Sequence, residues 1–390
     1  MTLQSSSALF SRHLLTFDPS ILMEKRPSDQ KLDWLALSLI PGLGSMGIKI
    51  LVTKFGAPEA VFQASQSELS AVEGLRKEIA GRIARREFSV DPSKMARKVE
   101  ELGVNILTYG DIAYPPLLRE IHDPPMLLFL KGKEIPPNST FISVVGSRNP
   151  THYGLKTAEE IAQGLARRGL GIASGMAKGI DSASHWGCLG GKGFTVAVLG
   201  TGIDIIYPAS NRKLFEQITE HGAVITEFPL GTPPEPKNFP IRNRIISGLS
   251  RGTVVVEATK NSGSLITAEL SLEQGREVFA VPGSVHSFKS TGCHHLIKQG
   301  AKLVENSDDI LDELGMNYPF ARKTDTLKEP VLPVMEDTEK TIYEIIGDFP
   351  LHIDEIAREG RLDPATVSST LMKMELKRLV RQLPGKLFVR

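Results

Sequence analysis

The stretch that decides the fold runs from Phe141 to Asp181 and reads FISVVGSRNPTHYGLKTAEEIAQGLARRGLGIASGMAKGID. It opens with an apolar run that ends in Gly146-Ser147, continues through an amphipathic segment, and closes with a second apolar run that ends in Ser174-Gly175. Two apolar runs short enough for buried strands, joined by a helix, are the pattern of a βαβ unit. We therefore expect two parallel strands connected by a helix.

The same pattern of a short apolar run followed by a turn or polar residue recurs further along the chain. Short apolar runs occupy 194–199, 223–226, 253–256 and 278–281, and they end in glycines, an acid or Pro-Gly. Nearly continuous apolar runs are typical of strands that helices cover on both faces. The pattern predicts an open α/β sheet, whose ligands bind where the strands end. Glycine turns and helix N-termini at that rim present unsatisfied N–H groups, which favour anions.

Composition limits the class of protein. With 390 residues the chain is long enough for two or three domains, and 41% hydrophobic residues allow a sizeable core. Two cysteines, Cys188 and Cys293, exclude a disulfide framework and fit a reducing compartment. No apolar run reaches membrane-spanning length, and we find no signal-peptide pattern. We expect a cytoplasmic protein.

The N-terminal part is predicted to be helical. Residues 1–28 are predicted to be a flexible segment, and a helical domain follows over 29–105. There, helices at 34–40 and 46–55 flank the turn Pro41–Gly44, and a weaker echo of this pattern lies at 69–86. Two helices joined by a Gly-apolar-Gly turn are the pattern of a helix-hairpin-helix, or SAM-like, domain. Its turn amides suit a DNA phosphate, and a plain helical bundle is the equal alternative.

The large α/β core is predicted over 106–316. Near its start, the prolines at 115, 116, 124 and 125 favour an edge strand at 126–131. A linker is predicted at 317–333 and a winged helix at 334–390, because three short helices precede a hairpin that turns at Pro384-Gly385. The third helix, at 364–379, would read DNA in such a domain. Its charge is mixed, so a protein-docking or structural role has equal standing.

Motifs for nucleotides, metals and catalysis are weak. Gly146-Ser147-Arg148 lacks the second glycine of a dinucleotide fingerprint, and Gly190–Gly193 lacks the Ser or Thr of a phosphate loop. His294 and His295 are adjacent and would point to different faces of a helix. We therefore expect no catalytic residue, no metal site and no cofactor.

A basic, glycine-lined rim remains. Cations that track a backbone, together with an aromatic that stacks on bases, hold single strands without sequence preference. The alternatives are a salt bridge for Arg148 and core packing for Phe239, whereas one of Arg242 and Arg244 could pair with a carboxylate. The predicted DNA-binding residues are Gly146, Ser147, Arg148, Ser174, Gly175, Lys178, Gly200, Thr201, Gly202, Lys237, Phe239, Arg242, Asn243, Arg244, Ser262, Gly263 and Ser264.

Together these motifs resemble the DNA-processing protein A family, also called Smf. The matching segments span about 110–310 and include Val145–Arg148, Ser174–Asp181, Gly200–Asp204, Phe239–Ser250, Ser262–Thr267 and Gly292–Ile297. The resemblance implies an extended Rossmann-like core that binds single-stranded DNA, forms a homodimer, and helps load the RecA recombinase during natural transformation and recombination. It implies no established catalytic turnover, and it makes Arg148 the leading DNA contact.

The sequence departs from the family at one position. The family often has a lysine directly after Tyr207-Pro208, where this chain has Ala209; Arg212 and Lys213 are near enough to substitute.

Three further expectations concern function and assembly. A phosphoribohydrolase-like enzyme with Glu269 as acid or base is one alternative function, and a nucleotide sensor on the same fold is another. The homodimer is expected to form through 292–299 and 301–304.

Overall fold

The protein is represented by a computed structural model that describes residues 27–316, 335–347, 350–377 and 379–389. The predicted linker and residues 1–26 of the predicted flexible segment lie outside this part of the chain. The chain divides into two compact units. Unit 1 comprises Met1–Ser139 and Val196–Ser250, and unit 2 comprises Thr140–Thr195 and Arg251–Arg390. The five predicted segments follow a different division, and their bounds stay predictions.

The strands and helices are numbered in chain order. The strands are β1 Asn105–Thr108, β2 Leu127–Gly132, β3 Phe141–Gly146, β4 Gly171–Ser174, β5 Thr195–Val198, β6 Ala223–Thr226, β7 Ser250–Val256, β8 Glu277–Ala280, β9 Lys302–Leu303, β10 Leu351–His352, β11 Arg381–Leu383 and β12 Leu387–Val389. The helices are α1 Pro27–Ser38, α2 Ser45–Phe55, α3 Pro58–Gln63, α4 Gln66–Ser70, α5 Lys77–Ala84, α6 Pro92–Glu101, α7 Pro116–Glu120, α8 His152–Arg167, α9 Ile180–Gly190, α10 Arg212–His221, α11 Asn238–Gly248, α12 Gly263–Glu273, α13 Thr291–Lys298, α14 Ser307–Glu313, α15 Asp337–Ile345, α16 Ile353–Gly360 and α17 Pro364–Leu376.

The predicted α/β fold is confirmed. In unit 2 the strand order is β4-β3-β7-β8-β9, and the β3/β4, β7/β8 and β8/β9 pairs are parallel. In unit 1 the order is β1-β2-β6-β5, in which β5 and β6 are parallel and β2 is antiparallel to both its neighbours. The prediction that 126–131 is an edge strand is wrong, because β1 pairs with the outer side of β2. The prolines at 124 and 125 precede β2 and remove no hydrogen bond from its ladder.

The βαβ unit predicted from Phe141–Asp181 forms the centre of unit 2. Helix α8 buries Ala158, Ile161, Ala162, Leu165 and Ala166, a spacing that places them on one face. They pack in one core with residues of β3, β4 and β7. Full burial of each large aliphatic side chain there is worth about 1.5–3 kcal/mol. This core fixes the ends of the strands on which the candidate site lies.

The predicted helical hairpins are also present. Helices α1 and α2 flank a turn in which Gly42 has a φ of 81°, and α4 and α5 flank a second turn. Arg82 of α5 joins the two hairpins, because its Nη1 donates to the Pro41 carbonyl oxygen at 2.8 Å.

The described residues between 335 and 389 form the predicted winged helix. Helices α15, α16 and α17 pack around Ile342, Ile356, Leu371 and Phe388, beside a three-stranded sheet of order β10-β12-β11. On α17, Met372 and Leu376 are exposed. Directly after this helix, the Lys377 ammonium forms an ion pair with the buried Glu339 carboxylate, with an N–O distance of 2.6 Å. An exposed apolar pair fits protein docking better than DNA reading.

None of the helices in the described part of the chain combines the length and the apolar character that a membrane span requires.

Candidate nucleic-acid interface

The Arg148 loop, residues 146–151, follows β3 in unit 2. The chain passes from β3 to β4 on one side, whereas β7 lies on the other side, so the loop begins at a topological switch point. Ser147 N donates to the Glu257 carbonyl oxygen at 2.8 Å, and the Ser147 carbonyl oxygen accepts from Ile180 N at 3.1 Å. Backbone bonds on both sides therefore fix the loop, and Arg148 itself is exposed to solvent.

The Lys178 loop, residues 174–179, lies against the Arg148 loop. The Asp181 carboxylate accepts from Gly175 N at 3.1 Å and from Ala177 N at 3.3 Å, which folds the loop over the start of α9. Gly179 has a φ of 80°, and a Cβ there would lie 2.3 Å from the Ser147 carbonyl oxygen. Only glycine permits this approach. Two exposed cations, Arg148 and Lys178, thus lie on adjoining loops.

Glu257 is a structural residue of this rim that the sequence analysis did not assign. It follows β7 with a left-handed φ of 49° and is 6% exposed. Its carboxylate accepts from Thr151 N at 2.8 Å and from the Thr151 hydroxyl. Thr151 in turn caps α8 by accepting from Gly154 N. Glu257 therefore ties the end of β7 to the far end of the Arg148 loop; the acid directly after an apolar run was the available signal.

The segment Ser262–Ser264 begins α12. The Ser262 hydroxyl accepts from Ser264 N at 3.4 Å, and the two hydroxyl oxygens lie 2.7 Å apart. Ser264 is buried, whereas Gly263 is exposed. The Ser262 hydroxyl therefore caps the helix, which gives the motif a structural role without a ligand.

The aromatic of the predicted site lies in unit 1. Phe239 is half-buried and packs on Gly200, where a Cβ would meet the ring at 2.9 Å. Its ring centroid lies 5.7 Å from that of Tyr207, which is 43% exposed. The two rings form a partly open aromatic surface. Lys237, two residues earlier, is exposed and pairs with Glu235 at 2.7 Å.

The two arginines of α11 are buried. Arg244 donates to both carboxylate oxygens of Glu227, at 2.5 and 2.7 Å, and to Asp123 at 2.8 Å. Burial acts to lower the pKa of the Arg244 guanidinium, but the two carboxylates outweigh it and raise the pKa. Arg242 Nη1 donates to the Val198 carbonyl oxygen at 2.5 Å, at the end of β5. The alternative that one of the pair binds a carboxylate is confirmed, and the other does not face solvent.

Exposure divides the predicted residues into three groups. Exposed are Arg148, Lys178, Lys237 and Gly263; half-buried are Gly146, Ser147, Phe239, Asn243 and Ser262; buried are Ser174, Gly175, Gly200, Thr201, Gly202, Arg242, Arg244 and Ser264. The buried polar groups have protein partners. For example, Ser174 Oγ donates to the Val144 carbonyl oxygen at 2.6 Å, and Thr201 Oγ1 donates to the Ile205 carbonyl oxygen at 2.8 Å. Burial removes this third group from the residues that we propose to touch DNA.

The turn of the first hairpin faces protein in unit 1. A cleft of about 440 Å³ lies there, and its lining includes Gly44, Ser45, Glu227, Phe228 and Arg244. Ser45, the first residue of α2, donates its hydroxyl to a Glu227 carboxylate oxygen at 3.4 Å. A carboxylate beside this helix start disfavours a DNA phosphate there, because the two anions would repel each other.

Metal-ligand groups and thiols were the remaining candidates for site chemistry. Within the described part of the chain, no group of three or more His, Cys, Asp or Glu side chains is placed to hold a metal ion. Burial raises the pKa of Cys188 to about 12 and that of Cys293 to about 11, which disfavours thiolate nucleophiles. Glu269, the acid of the enzyme alternative, is exposed on α12.

Two family models match the chain. The model described as DNA recombination-mediator protein A matches residues 105–315, and the model described as DprA winged helix domain matches residues 326–386. The chain belongs to the DNA recombination-mediator protein A family. The resemblance to DNA-processing protein A is thereby confirmed, and the first match covers the α/β region that carries both exposed cations.

Relatives of this DNA recombination-mediator family extend the match. The protein named Smf from Synechocystis sp. is 35% identical over 92% of this chain and 98% of its own length. DNA processing protein DprA of Streptococcus pneumoniae is 45% identical over 58% of this chain and 80% of its own. The X-ray structure of the pneumococcal protein aligns with a TM-score of 0.65 at 38% identity, over 75% of this chain and 99% of that chain.

Proposed function

We propose that this chain binds single-stranded DNA without sequence preference, through Arg148 and Lys178 of unit 2. The observation that carries the proposal is the pair of exposed cations on two adjoining loops that buried carboxylates and backbone bonds hold in place. Guanidinium and ammonium groups bind phosphate oxygens. In the described residues, no carboxylate lies within ion-pairing distance of the Lys178 ammonium.

The partly open aromatic surface of unit 1 supports a single strand over a duplex. A duplex hides its base faces, whereas a single strand offers them to aromatic rings such as Tyr207 and Phe239. Lys237 adds a cation close to these rings in the chain. Base stacking on this surface would be independent of sequence, because every base has a π-face.

We place this binding in natural transformation and recombination, where the protein protects incoming single strands and loads the RecA recombinase onto them. Family membership supports this role. It is tested by measuring strand exchange by the recombinase on single strands coated with a single-strand-binding protein, with and without this chain. We expect the chain to stimulate strand exchange and Arg148→Ala to abolish that stimulation. Equal rates of strand exchange with and without the chain would contradict loading.

We also propose a homodimer formed through unit 2. Of the two predicted dimer segments, 301–304 exposes Leu303 of the edge strand β9 at 44%, whereas 292–299 buries Gly292, Cys293 and Leu296 in α13. Helix α12 adds the exposed side chains of Ile266, at 38%, and Leu272, at 60%. Pairing two DNA-binding surfaces raises avidity without new contacts. Sedimentation of the full chain at micromolar concentration should show a dimer that Leu272→Glu weakens. Ile112→Glu, at an exposed position of unit 1, is the control, and a monomeric wild-type protein would contradict the proposal.

Fluorescence anisotropy with matched single- and double-stranded oligonucleotides tests the central proposal. We expect tighter binding of single strands, little dependence on sequence, and strong weakening by salt, because phosphates carry most of the affinity. Equal affinity for duplex at moderate salt would contradict the proposed binding mode.

A further inference from the structure

The loop that follows β8 exposes a large aromatic side chain. This Phe288 loop, residues 282–290, carries Phe288 at 68% exposure and Val285 at 79% exposure. An aromatic ring that is held in water loses the free energy it would gain by burial. Loops on a rigid α/β scaffold are also where binding residues concentrate. The exposed ring is therefore a candidate contact for a ligand.

The Phe288 loop is ordered by its own hydrogen bonds. Ser287 N donates to the Ser284 carbonyl oxygen at 3.0 Å, and Ser290 N donates to the Ser287 carbonyl oxygen at 3.1 Å. The Thr291 hydroxyl donates to the Phe288 carbonyl oxygen at 2.7 Å. The ring is thus presented by a fixed backbone, so that little conformational entropy is lost when it makes contact.

Two bonds join the Phe288 loop to the Arg148 loop and its helix. Lys289 Nζ donates to the Asn149 carbonyl oxygen at 2.8 Å, and the Tyr153 hydroxyl of α8 donates to the Pro282 carbonyl oxygen at 3.0 Å. The residues in contact, 289 and 149, are the immediate neighbours of Phe288 and Arg148. The exposed ring and the exposed guanidinium are therefore on segments that touch.

A cation, Lys289, directly follows Phe288 in the chain. Within the described residues, no carboxylate lies within ion-pairing distance of the Lys289 ammonium. Val285 is a second exposed apolar side chain of the loop, whereas Ser284, His286 and Ser287 are polar. One ring and one valine, beside a lysine and several hydroxyls, form an apolar surface that is small for a protein interface. A ring of this kind suits a base whose phosphates are bound nearby.

We propose that Phe288 stacks on a base of the single strand whose phosphates Arg148 and Lys178 bind. This inference rests on the proposed function and adds a contact to it. Phe288 supplies the base contact of unit 2, as Phe239 and Tyr207 do in unit 1. A family of variants at position 288 separates stacking from general hydrophobicity.

The test measures binding of a fluorescent oligothymidine and of an abasic oligonucleotide of the same length by the full chain. Phe288→Ala should weaken oligothymidine binding about tenfold, whereas Phe288→Trp should keep it, because stacking on an aromatic is worth that much per base. Val285→Ala, an exposed apolar change in the same loop, should leave it unchanged. On the abasic strand, wild type and Phe288→Ala should bind equally. Oligothymidine should also quench the added tryptophan of Phe288→Trp.

The outcomes separate this inference from the proposed function. If wild type binds oligothymidine and Phe288→Ala binds it equally well, the stacking role is wrong and the proposed function stands. If wild type does not bind single strands at all, both are wrong. If Phe288→Ala changes only the sedimentation of the protein, Phe288 serves a protein interface and the inference is overturned.

Discussion

Arg244 on helix α11 and Arg148 on the loop after β3 have the same side chain in opposite surroundings. Arg244 is 6% exposed and is bonded by Glu227 and Asp123, whereas Arg148 is exposed on a loop fixed by backbone bonds. In each case a glutamate directly after a strand organises the site. Glu227 follows β6 and binds the arginine itself; Glu257 follows β7 and binds Thr151 at the end of the arginine's loop. The acid therefore neutralises Arg244, whereas in the second case it holds the end of the loop on which Arg148 is exposed to solvent.

The first prediction concerns the buried cation. Arg244→Leu removes the guanidinium and leaves the Glu227 carboxylate, whose side chain is 11% exposed, without its partner. Loss of one member of a buried pair costs about 3–5 kcal/mol. We expect urea unfolding to show that loss in the free energy of unfolding, while the remaining folded protein binds single strands as wild type does. Arg167→Ala, which removes an exposed arginine from the end of α8, should change stability by less than about 0.5 kcal/mol.

If Arg244→Leu kept the stability of wild type but lost DNA binding, Arg244 would be a DNA contact and not a structural residue.

The second prediction concerns the exposed cation. Arg148→Ala should weaken single-strand binding by on the order of 1–3 kcal/mol, as expected for a charge-assisted hydrogen bond to phosphate. Its thermal unfolding should match wild type, because the backbone bonds of Ser147 remain. Arg167→Ala is again the control, because it lies at the opposite end of α8 from the Arg148 loop. An unchanged dissociation constant for Arg148→Ala would show that Arg148 is structural.

The third prediction concerns the acid behind the loop. Glu257→Gln keeps the shape of the side chain but weakens its bonds to Thr151, so we expect about 1 kcal/mol of lost stability. Single-strand binding should weaken by less than in Arg148→Ala, since the cation stays and only its loop is loosened. Both are measured by urea unfolding and anisotropy on the same preparations. Tighter DNA binding in Glu257→Gln would mean that the carboxylate acts on DNA by repulsion and does not act through the loop.

The sequence predicts the strands well because each apolar run is short, nearly continuous and ends in a glycine or an acid. It also predicts that Arg148 and Lys178 lie in the loops after two buried strands, and the structure has both there, exposed to solvent. It does not predict the burial of Arg242 and Arg244. Two residues apart on a helix normally face different directions, and here each direction holds a protein acceptor.

Other features lay beyond the sequence because they depend on neighbours distant in the chain. The interior position of β2 follows from its pairing with β1, and a proline pair before a strand does not reveal that. The first hairpin has the glycine turn of a phosphate site, yet Glu227 lies at its helix start, 182 residues away in the chain. The exposure of Phe288 follows from the turns of its loop, whose short polar sequence carries no periodic signal.

The most direct test of the account is the salt dependence of single-strand binding in wild type, Arg148→Ala and Arg244→Leu. Each phosphate neutralised on a single strand contributes about 0.7 to the slope of log K against log salt. If Arg148 neutralises one phosphate, Arg148→Ala lowers the slope by about that amount. If Arg244 is structural, Arg244→Leu leaves the slope at the wild-type value. An unchanged slope in Arg148→Ala, with a reduced slope in folded Arg244→Leu, would contradict the division between an exposed binding cation and a buried structural one.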